Sequence, residues 1–105
     1  MGSLAVEQRK DGQLLALIQY LEEDKLPDDP VLSRNVAALS TQFVLMDSVL
    51  YLLDAKRNSW KRAVAPTHLR TKLITEVHGG PLAGHFSANR IFNTLSRFWW
   101  WKGMY

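Results

Sequence analysis

The sequence predicts an α+β protein, and three observations carry that prediction. Apolar residues recur at helical spacing early in the chain. The period shortens to that of strands over residues 42–65, and helical spacing returns between Pro66 and Phe98. The expected architecture is an N-terminal helix, or two, with a small three-stranded antiparallel meander, followed by a small helical subdomain. The division falls at Pro66, giving segments 1–65 and 66–105. A chain of 105 residues allows one domain or two very small ones.

The first helix is expected over Ala5–Asp24, with Leu14, Leu15, Leu17, Ile18 and Leu21 on one face and Gln8, Arg9, Gln13, Gln19, Glu22 and Glu23 on the other. Pro27 and Pro30 close it. Val31–Leu39 predicts a second, short helix. Phe43–Met46 and Val49–Leu53 then read as two strands joined by the two-residue turn Asp47-Ser48. Ser59–Ala65 alternates in polarity and predicts a third strand. Three strands with one apolar face are about the minimum for independent stability.

Pro66 marks the first turn of the next helix, where its missing N–H does no harm. Leu69, Leu73, Ile74 and Val77 give that helix an apolar stripe ending at His78, and Gly79, Gly80 and Pro81 terminate it. Ser87 is the expected N-cap of a last helix, with Ile91, Leu95 and Phe98 on one face.

Charge divides the chain as sharply as periodicity does. Residues 1–54 carry four Lys/Arg against nine Asp/Glu, a net of −5; residues 55–105 carry nine Lys/Arg against Glu76 alone, a net of +8. A segment so basic invites a polyanion such as nucleic acid, unless the two signs mix on one solvated surface. No apolar run approaches the roughly 18–20 residues of a membrane span, so no membrane partner is expected. Met1-Gly2-Ser3 lacks the regions of a signal peptide. With no cysteine, disulfides are excluded and the redox compartment is left open.

His78 and His85 flank the run Gly79-Gly80-Pro81-Leu82-Ala83-Gly84. Glycines let the backbone turn back so that two imidazoles converge on one ion, although His pairs in glycine-rich loops are more often incidental. His68 stands apart, in a solvated or core-edge position. No catalytic constellation is present: there is no Cys nucleophile and no phosphate-cradling Gly loop. The carboxylates Glu22, Glu23, Asp24, Asp28 and Asp29 sit at a helix end and in a Pro-bounded turn, as solvated charge does.

The landmarks occur in a specific order. Val49-Leu50-Tyr51, Val64-Ala65-Pro66, Leu69-Arg70, then Glu76 through Phe86 with both histidines, and finally Phe98-Trp99-Trp100-Trp101-Lys102-Gly103-Met104 resemble the N-terminal zinc-binding region of gypsy-type LTR retrotransposon integrases, including domesticated integrase-like proteins. The likeness covers roughly Asp47–Tyr105, with residues 4–46 resembling the variable extension that precedes it. It implies that His78 and His85 are the first two ligands of an HHCC site whose Cys pair is absent here, so that residues 66–105 form a truncated domain. Zinc is then expected in the full-length domain and none in this fragment.

The resemblance further implies a non-catalytic, nuclear role, assisting DNA binding and integrase multimerisation without a small-molecule substrate. Lys56, Arg57, Lys61, Arg62, Arg70, Lys72, Arg90, Arg97 and Lys102 are the candidate DNA-facing residues. Phe98, Trp99, Trp100 and Trp101 are the candidate self-association interface, because contiguous aromatic patches rarely stay in water. The alternative is a dimerisation module of a domesticated host protein without DNA activity. A further one is an enzyme fragment using the two histidines catalytically.

Overall fold

A computed structural model describes residues 3–54, 60–79 and 88–104, the side chains of Trp60, His78 and Ala88 aside. Among the described residues, five α-helices and a four-stranded sheet give the α+β class read from the sequence. The expected long first helix is two. Helix α1 (Leu4–Arg9) ends before Asp11, whose carboxylate accepts the N–H groups of Gln13 and Leu14 and starts α2 (Gly12–Glu23). A side-chain acceptor at that point satisfies helix donors that would otherwise be orphaned, so breaking the helix costs little there. Asp24 closes α2 in the left-handed region, at φ 60°.

Asp29 caps α3 (Pro30–Leu39) through the N–H groups of Val31 and Leu32, with Pro30 in the first turn. After a 3-10 turn, β1 (Phe43–Met46) and β2 (Val49–Asp54) pair antiparallel with Met46 opposite Val49. The expected two-residue turn is present: Asp47 and Ser48 both have positive φ, at 50° and 67°. That handedness matches the twist of the flanking strands. Strand β3 (Trp60–Val64) completes the expected meander, Tyr51 lying opposite Ala63.

Two features of the C-terminal part depart from expectation. The last helix, α5 (Ala88–Leu95), stops short of Phe98, because i→i−3 bonds from Arg97 to Thr94 and from Phe98 to Leu95 turn the chain out of the helix. Phe98 is consequently 63% exposed rather than on the apolar helix face. The chain then forms a fourth strand, β4 (Trp99–Trp100), parallel to β3. Helices α4 (Thr67–His78) and α5 supply the long crossover that a parallel neighbour requires. Strand pairing therefore runs across the division at Pro66.

Two cores result. Leu17 and Ile18 of α2 and Val36 of α3 meet Phe43, Leu50, Leu52 and Val64 on the inner sheet face. Ala65, Ile91, Leu95, Trp101 and Met104 form the second, with Leu73, Ile74 and Val77 of α4 against it. Trp100 packs against both, its ring 5.5 Å from that of Phe43. The outer sheet face is different: Val44, Tyr51, Leu53 and Ala63 are half-buried and belong to neither core.

Candidate functional site

The helix that ends at His78 is anchored at its other end by residues far away in sequence. Pro66 occupies the N-cap of α4 but has no side chain to cap with. Asp11 does it instead: one carboxylate oxygen caps α2, and the other accepts the Thr67 N–H at 2.9 Å and the Thr67 hydroxyl at 2.8 Å. Next to it, His68 Nε2 lies 2.9 Å from the Glu7 carboxylate. Two acids of the N-terminal segment thus face the N-terminus of α4, where the helix dipole favours negative charge.

Both carboxyls are held below the ordinary range. Burial pushes Asp11 up, but donation from Thr67, Leu14 and Gln13 outweighs it. Glu7 is lowered by the hydrogen bond from His68, then by Lys10. A depressed carboxyl stabilises the fold above its unfolded value, 3.8 for Asp, and that contribution fades as pH falls through the lowered folded value. Asp11→Ala should cost about 1–2 kcal/mol at neutral pH, a cap's worth. Asp11→Asn should flatten the loss of stability below pH 4. Urea denaturation at neutral and acid pH checks both, and an unchanged acid limb in Asp11→Asn would refute the shared cap.

Sequence reasoning missed Asp11 and Glu7, since their partners lie more than fifty residues away. The dipeptide Asp11-Gly12 was the available signal for the helix break.

At the other end of α4, Gly79 follows His78 and donates its N–H to Thr75 at 2.7 Å. His85, Ser87, Lys56 and Arg57 lie outside the described residues. Among the described residues no group of three or more His, Asp or Glu could hold a metal ion.

The predicted basic residues are not one class. Lys61, Lys72, Arg90, Arg97 and Lys102 are exposed. Arg70 is half-buried: its Nε donates to Ala65 O, and its guanidinium lies 5.9 Å from the Trp101 ring centroid. Arg62 corrects the sequence reading. It is 8% exposed, donates to Ser96 O just past the end of α5 and faces Asp54 at 4.0 Å, while its Nε has no partner among the described residues. Strand alternation places it on the inner sheet face with its cross-strand neighbour Leu52, so it neutralises a helix C-terminus and does not meet solvent.

The aromatic cluster is not uniform either. Trp101 is 6% exposed within its own chain, edge-on to Phe92 at 6.3 Å, and Trp99 and Trp100 are half-buried against the cores. The α4–α5 pair and the parallel strand cover Trp101 within the chain and Trp99 and Trp100 in part. Phe98 alone of the four points outward.

A helix pair thus surrounds a buried Trp, with a His at the end of the first helix. Residues 65–105 match the family model of the integrase zinc binding domain. The match spans the landmarks from Pro66 to Met104 and supports an integrase N-terminal region, as the ordered motifs implied. No curated protein and no solved structure matches the chain. Integrase zinc-binding domains hold their metal with two His and two Cys. His78 and His85 would supply two of those four donors, and the 105 residues contain no cysteine. No helix among the described residues is long and apolar enough to cross a membrane.

Proposed function

We propose that this chain is the non-catalytic N-terminal region of a gypsy-type retrotransposon integrase, or of a host protein derived from one. There it helps hold element-end DNA and assemble integrase copies in the nucleus. The observation that carries this reading is the integrase zinc-binding match over residues 65–105, on a segment folded as two helices around Trp101. His78 and His85 are its first two zinc ligands, with thiolates from outside these residues completing the site. Exposed cations on α4 (Lys72), α5 (Arg90), the turn after it (Arg97), β3 (Lys61) and past β4 (Lys102) support contact with phosphates. Such contacts position DNA without reading its sequence.

Binding of this kind is salt-dependent through counterion release. With three or four phosphates neutralised, affinity for duplex DNA should fall roughly forty- to a hundred-and-fiftyfold between 50 and 200 mM salt. Lys72→Ala and Lys102→Ala should each reduce the slope by about one phosphate's worth. Fluorescence anisotropy with a labelled duplex measures both, and no binding even at low salt would remove the DNA role. A pairing module without DNA activity is the second reading, favoured by the half-buried apolar residues on the outer sheet face.

A further inference from the structure

We infer that Phe98 is a stacking platform for an unpaired DNA base, set beside cations that take the flanking phosphates. The inference rests on the DNA reading above and names the residue that meets a base there. A single exposed apolar side chain is ordinary on a protein surface, so exposure alone argues nothing. Two further observations do.

The first is how the ring is held. Phe98 is 63% exposed, yet its backbone is pinned on both sides: its N–H donates to Leu95 O at 3.1 Å, and its C=O accepts the Ala63 N–H at 2.9 Å. One bond ties it to the end of α5 and the other to β3. The chain then runs directly into the half-buried Trp99 and Trp100 and the buried Trp101. The ring belongs to neither core, but it is carried on rigid elements. Stacking on it therefore costs little ordering beyond the rotation of the side chain itself.

The second is the charge around it. Strands β3 and β4 run parallel with Ala63 beside Trp99, so Lys61 on one strand and Arg97 before the other stand at the same end of the ladder as Phe98. Both cations are exposed. The carboxylate at this end, Asp54, lies opposite Trp60 and faces the buried Arg62 at 4.0 Å. Glu76, the one acid among residues 55–105, lies on α4. A planar apolar ring beside cations complements a nucleotide, the ring taking the base face and the cations the phosphates. A second copy would bring cations against cations, and an acidic peptide would meet the charges without needing an aromatic platform. A paired base hides its faces in the duplex stack, so the ligand is a single strand, and stacking of this kind tolerates any base.

Fluorescence anisotropy with two labelled single strands of about a dozen nucleotides tests it, one carrying bases and one abasic throughout, so that the phosphates are shared and the bases are not. The wild-type chain should bind the base-carrying strand at least about fivefold more tightly. Phe98→Ala, checked for folding by circular dichroism, should erase that preference and leave the salt slope unchanged, because the ring carries no charge. Phe98→Trp should keep the preference and Phe98→Leu should lose it. Lys61→Ala should keep the preference and reduce the slope by about 0.7. Equal wild-type affinity for the two strands, a preference that survives Phe98→Ala, or a loss in Phe98→Ala that is the same on both strands would each overturn the stacking role. Duplex binding that persists in those cases leaves the DNA reading standing, whereas no binding to duplex or single strand at low salt removes both.

Discussion

Gln8→Ala should destabilise the fold by about 3 kcal/mol, a large share of the roughly 5–15 kcal/mol that holds a domain together. Gln8 is fully buried on α1. Its Nε2 donates to Leu50 O at 3.0 Å and to Val64 O at 2.8 Å, and its Oε1 accepts the Leu50 N–H at 2.8 Å. The register that sets Tyr51 against Ala63 would next set Leu50 against Val64. At that step the glutamine amide bonds to both strands, so one side chain ties α1, β2 and β3. Alanine leaves two carbonyls and an N–H buried without partners, each costing about 1–3 kcal/mol before relaxation. Gln8→Glu keeps the shape but aims an acceptor at two carbonyls. Its carboxyl should be pushed up in the folded state, so this variant should gain stability as pH falls. Urea unfolding at pH 5 and pH 8 measures both variants. A loss under about 1 kcal/mol in Gln8→Ala would mean that water or backbone movement repairs the gap.

What was legible in the sequence was local. The hairpin turn at Asp47-Ser48, the short helix expected over Val31–Leu39 and the end of α4 beside Gly79 all rest on residues a few positions apart, and each stands as read, although Pro30 opens that helix where it was expected only to close the one before. The errors share one cause, which is long-range pairing. Gln8 reads as a polar-face residue of a surface helix until the strands it bonds, 42 and 56 positions away, are in place. Arg62 reads as a free cation until α5 ends against it. A two-residue strand such as β4 shows no period at all, and only the ladder with β3 defines it. For the candidate site, His78 at a helix end was readable from spacing, and the family match rests on the same ordered landmarks. The dependence of that helix on Asp11 and Glu7 was not. The acidic segment is thus no mere appendage: Asp11, Glu7 and Trp100 join it to the matched residues 65–105.

Trp101→Ala should be the most damaging single change in the C-terminal segment, at about 3–5 kcal/mol. Trp101 is enclosed by Ile91 and Leu95 of α5, by Met104 and by Ala65, with Phe92 at its edge and the Arg70 guanidinium near its ring. Truncation opens a cavity between α4 and α5 and deprives Arg70 of its aromatic neighbour. The effect should also be uneven. Amides of α4 and α5 should lose hydrogen-exchange protection more than those of β1 and β2, which rest on the other core. Since Lys72 and Arg90 ride on these two helices, DNA affinity should fall in Trp101→Ala although no cation is removed. Phe98→Ala, at an exposed position three residues earlier, should stay within about 0.5 kcal/mol of the parent. The pair separates burial from mere aromaticity. Equal losses in both variants would mean that the outward ring is held by a partner and that the contrast between Phe98 and Trp101 does not govern stability.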